Sequence, residues 1–436
     1  MFSYYLKLAW LSSKKTWGMS LLMVLAIGLG IGAAMTTVTV NYLMSANPIP
    51  EKSEQLYYVQ LDSWEPTEPY FENGDPPEQL TYRDATALMQ AKKATRQVIM
   101  SGMAAVIEPK NKDALPFMVG GRASSADFFP MFNVPFLFGS GWDAQADEKK
   151  ELVVVINAEL NERLFGGRDS TGETLRLAGK DFKISGVMAR WNPKPKFYDI
   201  TTGAFEDVEE VFVPFSLITE QFFDRSGNTN CWKPSESGFQ AFLDSECIWT
   251  QVWVELPTAA DRDAYQGFID AYAAEQHKFG RFARQNNNKL SDVMTWLEQR
   301  QVVSDDASMM MAMALMFLAV CLLNTVGLLL AKFLGKASEI GVRQALGASR
   351  KDLFIQHLVE SGVIGLAGGL LGLVFAWLGL SAIKAMYGDW IRDLAELDMN
   401  MILLAIALAI VSSILAGLYP TWRACQIQPS QQLKAQ

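Results

Sequence analysis

Residues 339–354, EIGVRQALGASRKDLF, form a basic segment between two long apolar stretches. These stretches, 308–333 and 358–384, are each longer than the roughly 20 apolar residues that cross a bilayer. Residues 17–44 and 399–422 have the same character. The sequence therefore predicts four transmembrane helices, with the basic segment joining the second helix to the third.

Between the first and second predicted helices lies a large region, 46–307, with mixed patterns. Alternation predicts a strand in 54–64, and a further strand is predicted in 97–108. Apolar residues at helical spacing predict helices over 77–98 and 261–284. Residues 151–191 contain a strand, a short helix, a Gly-Gly turn and a hairpin of alternating strands. The predicted fold is an α-helical membrane protein with a large α+β extracytoplasmic domain.

Lysine and arginine are distributed unevenly around the predicted helices. The segments 1–16, 334–357 and 423–436 are basic, whereas the loop 385–398 is acidic. Because cytoplasmic flanks are enriched in lysine and arginine, both termini and the basic segment are expected in the cytoplasm. Region 46–307 contains 26 Lys and Arg against 40 Asp and Glu, an acidic balance that argues against a nucleic-acid partner.

The first apolar stretch has an alternative interpretation as a cleaved signal peptide. The residues Gly32-Ala33-Ala34 loosely resemble a cleavage site. The apolar run is much longer than the roughly 7–15 residues of a signal peptide core, so a retained helix is favoured. A mature N-terminus beyond Ala34 would instead indicate cleavage.

Two cysteines, Cys231 and Cys247, lie in the predicted outer domain. They enclose a segment that contains proline and glycine, as expected of a hairpin-like loop. In an oxidising compartment this spacing predicts a disulfide, and the alternative is a pair of free buried thiols.

The sequence contains few groups that could perform chemistry. Gly335-Lys336 is followed by Ala337 and lacks the upstream glycine of a phosphate-binding loop, so Lys336 is interpreted as a positive-inside charge. With two histidines and no CxxC, a zinc site is not expected, and the methionines of 309–316 indicate deformable packing rather than copper binding. His357 and Glu360 are interpreted as an interfacial pair rather than a proton relay. No cofactor, metal or catalytic group is predicted on this chain.

Two features indicate how the predicted helices are arranged. Residues 292–316 are expected to form one continuous helix that leads from the outer domain into the second span. Small residues predict close helix approach at Gly28 and Gly32, at Gly365 and Gly369, and over 368–372. General flexibility is the alternative explanation of these glycines.

The basic segment has an amphipathic pattern. Four residues are spaced to line one face of a short helix that is bent near Gly347, namely Ile340, Leu346, Leu353 and Phe354. Glu339 and Arg343 form a favourable i,i+4 pair. Such a helix suits insertion into a groove on a cytoplasmic partner. It equally suits binding to anionic lipid through Lys336, Arg343, Arg350 and Lys351, and composition does not decide between the two.

Three stretches resemble one family. Residues 339–361, EIGVRQALGASRKDLFIQHLVES, resemble the link between the second and third membrane helices of MacB/FtsX-like permeases, the type VII ABC transporter family. Residues 417–434, GLYPTWRACQIQPSQQLK, resemble its closing signature. Residues 164–189, LFGGRDSTGETLRLAGKDFKISGVMA, follow 125–143, SADFFPMFNVPFLFGSGWD, and resemble its MacB-type periplasmic core domain.

The resemblance implies a permease subunit in the bacterial inner membrane, paired with itself or with a second permease. A separate cytoplasmic ATPase, which uses ATP and Mg, would drive it to move its periplasmic domain (mechanotransmission). The cargo would be peptide, toxin, drug or lipoprotein, handled with membrane lipid nearby and with or without a periplasmic adaptor and outer-membrane duct. The residues implied in docking to the ATPase are Glu339, Ile340, Gly341, Arg343, Leu346, Gly347, Arg350 and Leu353.

This sequence departs from the family in two respects. The best-known drug exporter of the family carries its ATPase on the same chain, whereas no phosphate-binding loop is found here, so a separate ATPase is expected. Additional residues around 192–248 indicate an elaborated outer domain. Two other functions stay open: an FtsX-like regulator that activates a cell-wall hydrolase without moving cargo, and a membrane sensor that works without an ATPase.

Overall fold

A computed structural model describes residues 2–110, 115–220, 223–284, 286–303, 305–387 and 399–425. The helices, in chain order, are α1 (Phe2–Lys15), α2 (Trp17–Met44), α3 (Tyr82–Ala91), α4 (Phe128–Met131), α5 (Ala144–Lys149), α6 (Ala158–Phe165), α7 (Phe239–Leu243), α8 (Ala259–Lys278), α9 (Val293–Gln299), α10 (Asp305–Leu334), α11 (Ala337–Ala345), α12 (Arg350–Tyr387) and α13 (Met399–Cys425). The strands are β1 (Leu56–Gln60), β2 (Leu80–Thr81), β3 (Arg96–Glu108), β4 (Phe117–Ser124), β5 (Phe136–Gly139), β6 (Val153–Ile156), β7 (Thr174–Leu177), β8 (Lys180–Met188), β9 (Val211–Pro214), β10 (Asp224–Arg225), β11 (Asn230–Cys231), β12 (Cys247–Glu255) and β13 (Lys289–Asp292).

The chain divides into two compact units. The membrane unit comprises residues 1–45 and 303–436, and the soluble unit comprises residues 46–302. Four helices of the membrane unit, α2, α10, α12 and α13, are long and apolar enough to span a bilayer. The predicted fold class, four spanning helices and a large α+β domain, is confirmed.

The spanning helices cover the predicted stretches, and some extend beyond them. Helix α2 has the bounds predicted for the first span, while α12 already begins at Arg350, before the predicted start of the third span. The predicted segment 1–16 contains helix α1. Most of the predicted loop 385–398, and most of the tail 423–436, lie outside the described residues.

Glycines bring α2 and α12 close together. A Cβ atom built on Gly32 would lie 2.5 Å from Phe375 Cβ, and one built on Gly372 would lie 2.9 Å from Ile31 Cβ. Gly28 and Gly368 face each other in the same way, each against a side chain of the opposite helix. The glycines Gly365 and Gly369, which the sequence singled out, are buried in α12. The close approach to α2 is made by Gly368 and Gly372, the second glycine pair predicted in 368–372.

The soluble unit is organised around one mixed sheet. In the described part of the chain it has thirteen strands, with the main path β13-β1-β12-β3-β4-β9-β6-β8-β5. Strand pairs are antiparallel except β4–β9 and β6–β8, which are parallel. Every residue of the central strand β12 is buried. Alternating residues enter two different cores, with Val252 and Val254 in one and Trp253 in the other, because successive side chains of a strand point to opposite faces.

Local signals set the ends of the predicted helices. The helix predicted over 77–98 is restricted to α3, because Leu80 and Thr81 form strand β2 and the Thr81 side chain caps the helix by accepting from Asp84 N. Helix α8 begins after Thr258, whose side chain forms a capping box with Asp261.

The prediction of one continuous helix over 292–316 is wrong. Helix α9 ends at Gln299, and α10 begins at Asp305. Gln301 adopts a left-handed conformation (φ 48°), Gln301 N donates to Glu298 O at 2.9 Å, and Val302 N donates to Leu297 O at 3.1 Å. This pattern is a Schellman motif, which satisfies the last carbonyls of a helix and ends it.

The structure joins Cys231 and Cys247 in a disulfide. The two cysteines are directly opposite each other in the antiparallel pair β11–β12. Helix α7 lies within the loop that they close. The bond therefore attaches the elaborated region to the central strand of the sheet.

Candidate functional site

Residues 336–354, here called the basic hairpin, fold as helix α11, a turn, and the start of helix α12. Gly347 has φ 98° in this turn, a conformation that glycine adopts without the steric cost of a Cβ atom. Ser349 Oγ accepts from Asp352 N at 3.1 Å and donates to the Asp352 carboxylate at 2.5 Å, which caps α12. The sequence itself therefore specifies a sharp, ordered turn.

The inner side of the basic hairpin belongs to the core of the membrane unit. Ile340 and Leu353 are buried in the cluster that contains Phe333. Arg343 donates to Glu339 Oε1 at 2.8 Å and to Gln356 Oε1 at 3.1 Å, so it links α11 to α12. These predicted docking residues hold the hairpin in shape.

The outer side of the basic hairpin is exposed. Leu346 is 84% exposed at the turn, and Val342 on α11 is exposed beside it. Gly347, Arg350 and Lys351 are also exposed. The prediction that Ile340, Leu346, Leu353 and Phe354 share one face is wrong, because the turn directs Leu346 away from the buried side chains of Ile340 and Leu353. The surface available to a partner is the turn itself.

A buried charge network connects the basic hairpin to three helices. Glu360 on α12 lies 2.8 Å from Lys332 Nζ at the end of α10 and 3.6 Å from Lys336 Nζ. Ser12 of α1 donates to Glu360 and accepts from Lys336. Lys332 also donates to Ser20 Oγ of α2 at 3.1 Å. Glu360 and Lys332 are both almost fully buried.

Sequence reasoning missed this network. Lys336 was interpreted as a positive-inside charge, and Glu360 as one member of an interfacial pair with His357. His357 Nδ1 does lie 3.5 Å from Glu360 Oε2, but the shortest ion pair of Glu360 is with Lys332. The available signal was an acid and a base that each lie at the edge of an apolar stretch, since charges in such positions tend to pair.

A cavity of about 180 Å³ lies between α1, α11 and α12. Its lining includes side chains from all three helices, namely Leu8, Ser12, Lys336, Ile340, His357 and Glu360. The helices that carry the charge network are therefore not fully packed against each other at this point. Loose packing leaves room for side chains to rearrange.

The soluble unit contains a second buried charge cluster. The Arg122 guanidinium donates to Asp199, to Glu209 at 2.5 Å and to Gln251 at 3.2 Å. Because Arg122 and Lys196 lie nearby, the pKa of Asp199 is held well below its usual range despite burial, which raises it. The cluster connects β4 and β12 to the segment 196–209, and it is saturated with partners. This arrangement is structural rather than catalytic.

Comparisons with known proteins assign both units. Residues 20–272 match the family described as "MacB-like periplasmic core domain", and residues 311–429 match the family described as "FtsX-like permease C-terminal". The chain belongs to the MacB/FtsX-like permease family. It is therefore a multi-pass inner-membrane protein of this family, and its soluble unit is a periplasmic core domain.

Relatives of this family permease include two exporters. A macrolide export ATP-binding/permease protein MacB from Bdellovibrio bacteriovorus is 22% identical over 299 residues, which cover 68% of this chain and 41% of that protein. A pyoverdine export ATP-binding/permease protein PvdT from Pseudomonas syringae pv. tomato is 23% identical over 412 residues, which cover 92% and 55%. The chain thus spans about half the length of these relatives.

A solved structure is also similar to part of this chain. It is the periplasmic region of MacB from Actinobacillus actinomycetemcomitans, at 10% identity and a TM-score of 0.37, and the match covers 59% of this chain and 96% of that one.

Proposed function

We propose that the protein is the permease subunit of an ABC transporter of the mechanotransmission type. A separate ATPase, which binds ATP and Mg, would dock on the basic hairpin from the cytoplasm and drive movement of the periplasmic domain. The cargo class is peptide, drug or lipoprotein. The names of the relatives, which are exporters, favour cargo export over activation of a cell-wall hydrolase.

One observation carries the proposal: an ordered turn presents an almost fully exposed leucine between two spanning helices. Leu346 is flanked by the exposed cations Arg350 and Lys351. An exposed apolar side chain with polar residues around it has the composition of a protein interface, which has an apolar core and a polar rim. Because the inner side of the hairpin is packed into the core, a force on the turn would reach the spanning helices.

The charge network gives that force a path. Glu360 and its lysine partners join the basic hairpin to α10, and Ser12 and Ser20 join it to α1 and α2. In the proposed transporter, two permease chains lie side by side with both termini in the cytoplasm. A periplasmic adaptor and an outer-membrane duct would extend the route for cargo.

The docking role is tested with two substitutions of equally exposed leucines. Leu346→Asp changes the turn of the hairpin, and Leu115→Asp changes a leucine of the soluble unit that is 85% exposed. Loss of an interface anchor costs about 2 kcal/mol or more, so Leu346→Asp is expected to reduce recovery of the ATPase with the purified permease by more than tenfold. Leu115→Asp should leave recovery unchanged.

Arg350→Glu provides a second test of the docking surface. Its side chain is exposed, whereas Arg343 is bonded within the hairpin and its reversal would also distort the hairpin. Retention of the ATPase by both Leu346→Asp and Arg350→Glu would contradict the docking role. Labelling of a Leu346→Cys variant from the periplasmic side in intact cells would contradict the proposed orientation.

A further inference from the structure

The cavity between α1, α11 and α12 is lined by a buried histidine with unsatisfied ring nitrogens. His357 is 3% exposed, and neither nitrogen has a hydrogen-bond partner among the residues that the structure describes. Its Nδ1 lies 3.5 Å from Glu360 Oε2 without the alignment of a hydrogen bond, and its ring lies against Phe333 with 4.4 Å between centroids. Since a buried polar group without a partner costs free energy, a ligand that bonds to His357 would stabilise this arrangement.

The cavity also holds more positive charge than its carboxylates neutralise. Three cations and two carboxylates line it, namely Lys15, Lys336 and Arg343 against Glu339 and Glu360. Glu360 is closest to Lys332, which lies outside this lining, at 2.8 Å. Lys336 Nζ is 3.6 Å from the same carboxylate, which is longer than a hydrogen bond. The surplus of donors and of positive charge fits an anion with several acceptor oxygens.

Exposed aromatic side chains place α1 at the surface of the bilayer. Tyr4, Trp10 and Trp17 are 60%, 68% and 71% exposed, and tyrosine and tryptophan are enriched where membrane and water meet. Leu8 and Leu11 of the same helix line the cavity, and Leu11 is half exposed. The cavity therefore combines a cationic interior with an apolar edge at the depth of the lipid headgroups.

A phospholipid supplies both halves of this chemistry. We propose that the cavity binds the phosphate group of an anionic phospholipid, with Lys336 and His357 as donors and with Leu8 and Leu11 against the start of the acyl chains. Basic pockets between spanning helices bind such headgroups. His357 Nε2 donates in the imidazolium ion and in one neutral tautomer, and a phosphate favours both forms. The site does not depend on the ATPase of the proposed function.

The space in the cavity admits this ligand. Its volume of about 180 Å³ is far above the roughly 10–15 Å³ that one water molecule needs. Inorganic phosphate has the same charged oxygens as the headgroup, but it has no apolar part to contact Leu8 and Leu11. The two sources of phosphate can therefore be separated by experiment.

Lipid retention by the full-length chain tests the site. Phosphatidylglycerol is titrated into the detergent-solubilised chain, and bound lipid is counted by native mass spectrometry. Wild type is expected to retain phosphatidylglycerol in preference to phosphatidylcholine. His357→Phe keeps an aromatic ring against Phe333 but has no donor, and Lys336→Gln removes the cation. Each variant should weaken retention about tenfold or more, since hydrogen bonds to charged groups are the stronger ones.

Lys351→Gln is the matched control, because it removes an exposed cation of the basic hairpin that does not line the cavity. Retention by this variant should equal that of wild type. Equal losses from Lys351→Gln and His357→Phe would mean that the lipid adsorbs through surface charge, which would overturn the proposal. Full retention by both His357→Phe and Lys336→Gln would also overturn it.

Thermal unfolding in detergent separates lipid from free phosphate. A ligand that binds the folded state raises Tm, so phosphatidylglycerol should raise the Tm of wild type by a few degrees. The Tm of His357→Phe should not rise with the lipid, whatever its starting value. Inorganic phosphate at the same concentration should have no effect on either protein. An equal rise with inorganic phosphate would overturn the assignment to lipid, and no rise with either ligand would overturn the site.

Discussion

The soluble unit and the membrane unit both bury charged side chains, but they surround them differently. Arg122 in the soluble unit has two carboxylates and an amide as partners, all held by strands and a buried segment. Lys332 in the membrane unit has Glu360 and one hydroxyl, at a place where helices meet beside a cavity. The cluster in the soluble unit is therefore held in one arrangement, whereas the cavity in the membrane unit leaves room for side chains to rearrange.

Removal of the buried Arg122 cluster should destabilise the protein more than any other change considered below. Arg122→Met leaves Asp199 and Glu209 buried without their cation. Breaking a buried ion pair in this way costs about 3–5 kcal/mol, so the free energy of unfolding of the soluble unit should fall by that amount. This loss is measured by unfolding the purified full-length chain with denaturant and monitoring how readily a protease cleaves the soluble unit.

The matched control is Arg176→Met, at an exposed arginine that also pairs with two carboxylates, Glu108 and Asp181. Exposed pairs contribute little, so no measurable change is expected. Similar losses from the two variants would mean that burial does not distinguish the Arg122 cluster.

A smaller effect concerns pH. Burial raises the pKa of Asp147 to about 6 from 3.8, against the hydrogen bonds from Ala126 N and Trp142 Nε1 that lower it. A raised pKa stabilises the fold fully below pH 3.8, and this stabilisation is lost as the pH rises through 6. The loss amounts to roughly 2–3 kcal/mol, because each pKa unit corresponds to about 1.4 kcal/mol.

Thermal unfolding at several pH values checks this prediction. Relative to Asp147→Asn, which cannot ionise, the wild-type soluble unit should lose stability as the pH rises from 3.8 through about 6, and change little at higher pH. The buried Arg122 cluster is present in both proteins, so its own titration cancels in this comparison. A constant difference between wild type and Asp147→Asn would rule out the role of Asp147.

In the membrane unit, Lys332→Met should cost about 1.5–3 kcal/mol, the usual contribution of a hydrogen bond to a charged group. The loss is smaller than for Arg122→Met, since Glu360 keeps Lys336 and Ser12 as partners. The double variant Lys332→Met with Glu360→Met should recover part of this stability, because an apolar pair of similar size often replaces a buried ion pair without loss, while Lys336 loses its carboxylate.

In the proposed transporter the network transmits force, so the double variant should transmit less of the ATP-driven movement to the periplasmic domain. The expected outcome is a stable complex with the ATPase in which the rate of ATP hydrolysis no longer depends on the state of the periplasmic domain. Lys15→Met, at an exposed lysine of α1, serves as the control. Normal coupling in the double variant would restrict the network to a stabilising role.

Substitutions at two glycines of α12 should change stability least. Gly372→Ala brings a methyl group to 2.9 Å from Ile31 and should cost about 1–2 kcal/mol by overpacking. Gly362→Ala meets no heavy atom within 4 Å and should be neutral or stabilising, since alanine favours helices. Thermal unfolding in detergent distinguishes them, and equal losses would show that the α2–α12 contact is not tight.

Features encoded locally could be predicted from the sequence. The spanning helices follow from the length of apolar runs, and the hairpin between β7 and β8 follows from Ala178-Gly179, both of which have positive φ. The end of α9 could not be predicted, because glutamine at 301 gives no sign of a left-handed residue.

The two charge networks could not be predicted in the same way. Arg122 meets partners that are 77, 87 and 129 residues away along the chain, so only the fold brings them together. The prediction for the basic hairpin is only partly correct for the same reason, because the fold decides which of its side chains are buried. Its helical spacing predicted an amphipathic segment, but the division between buried Ile340 and exposed Leu346 depends on the turn at Gly347.

Helix α12 has 38 residues without interruption. At 1.5 Å per residue it is about 57 Å long, nearly twice the thickness of the hydrocarbon layer, which is about 30 Å. About half of this length must therefore lie outside the hydrocarbon layer or be accommodated by a tilt of the helix. In the proposed transporter, a tilt that begins at the first turn would be carried along the whole helix, because all of its backbone hydrogen bonds lie within it.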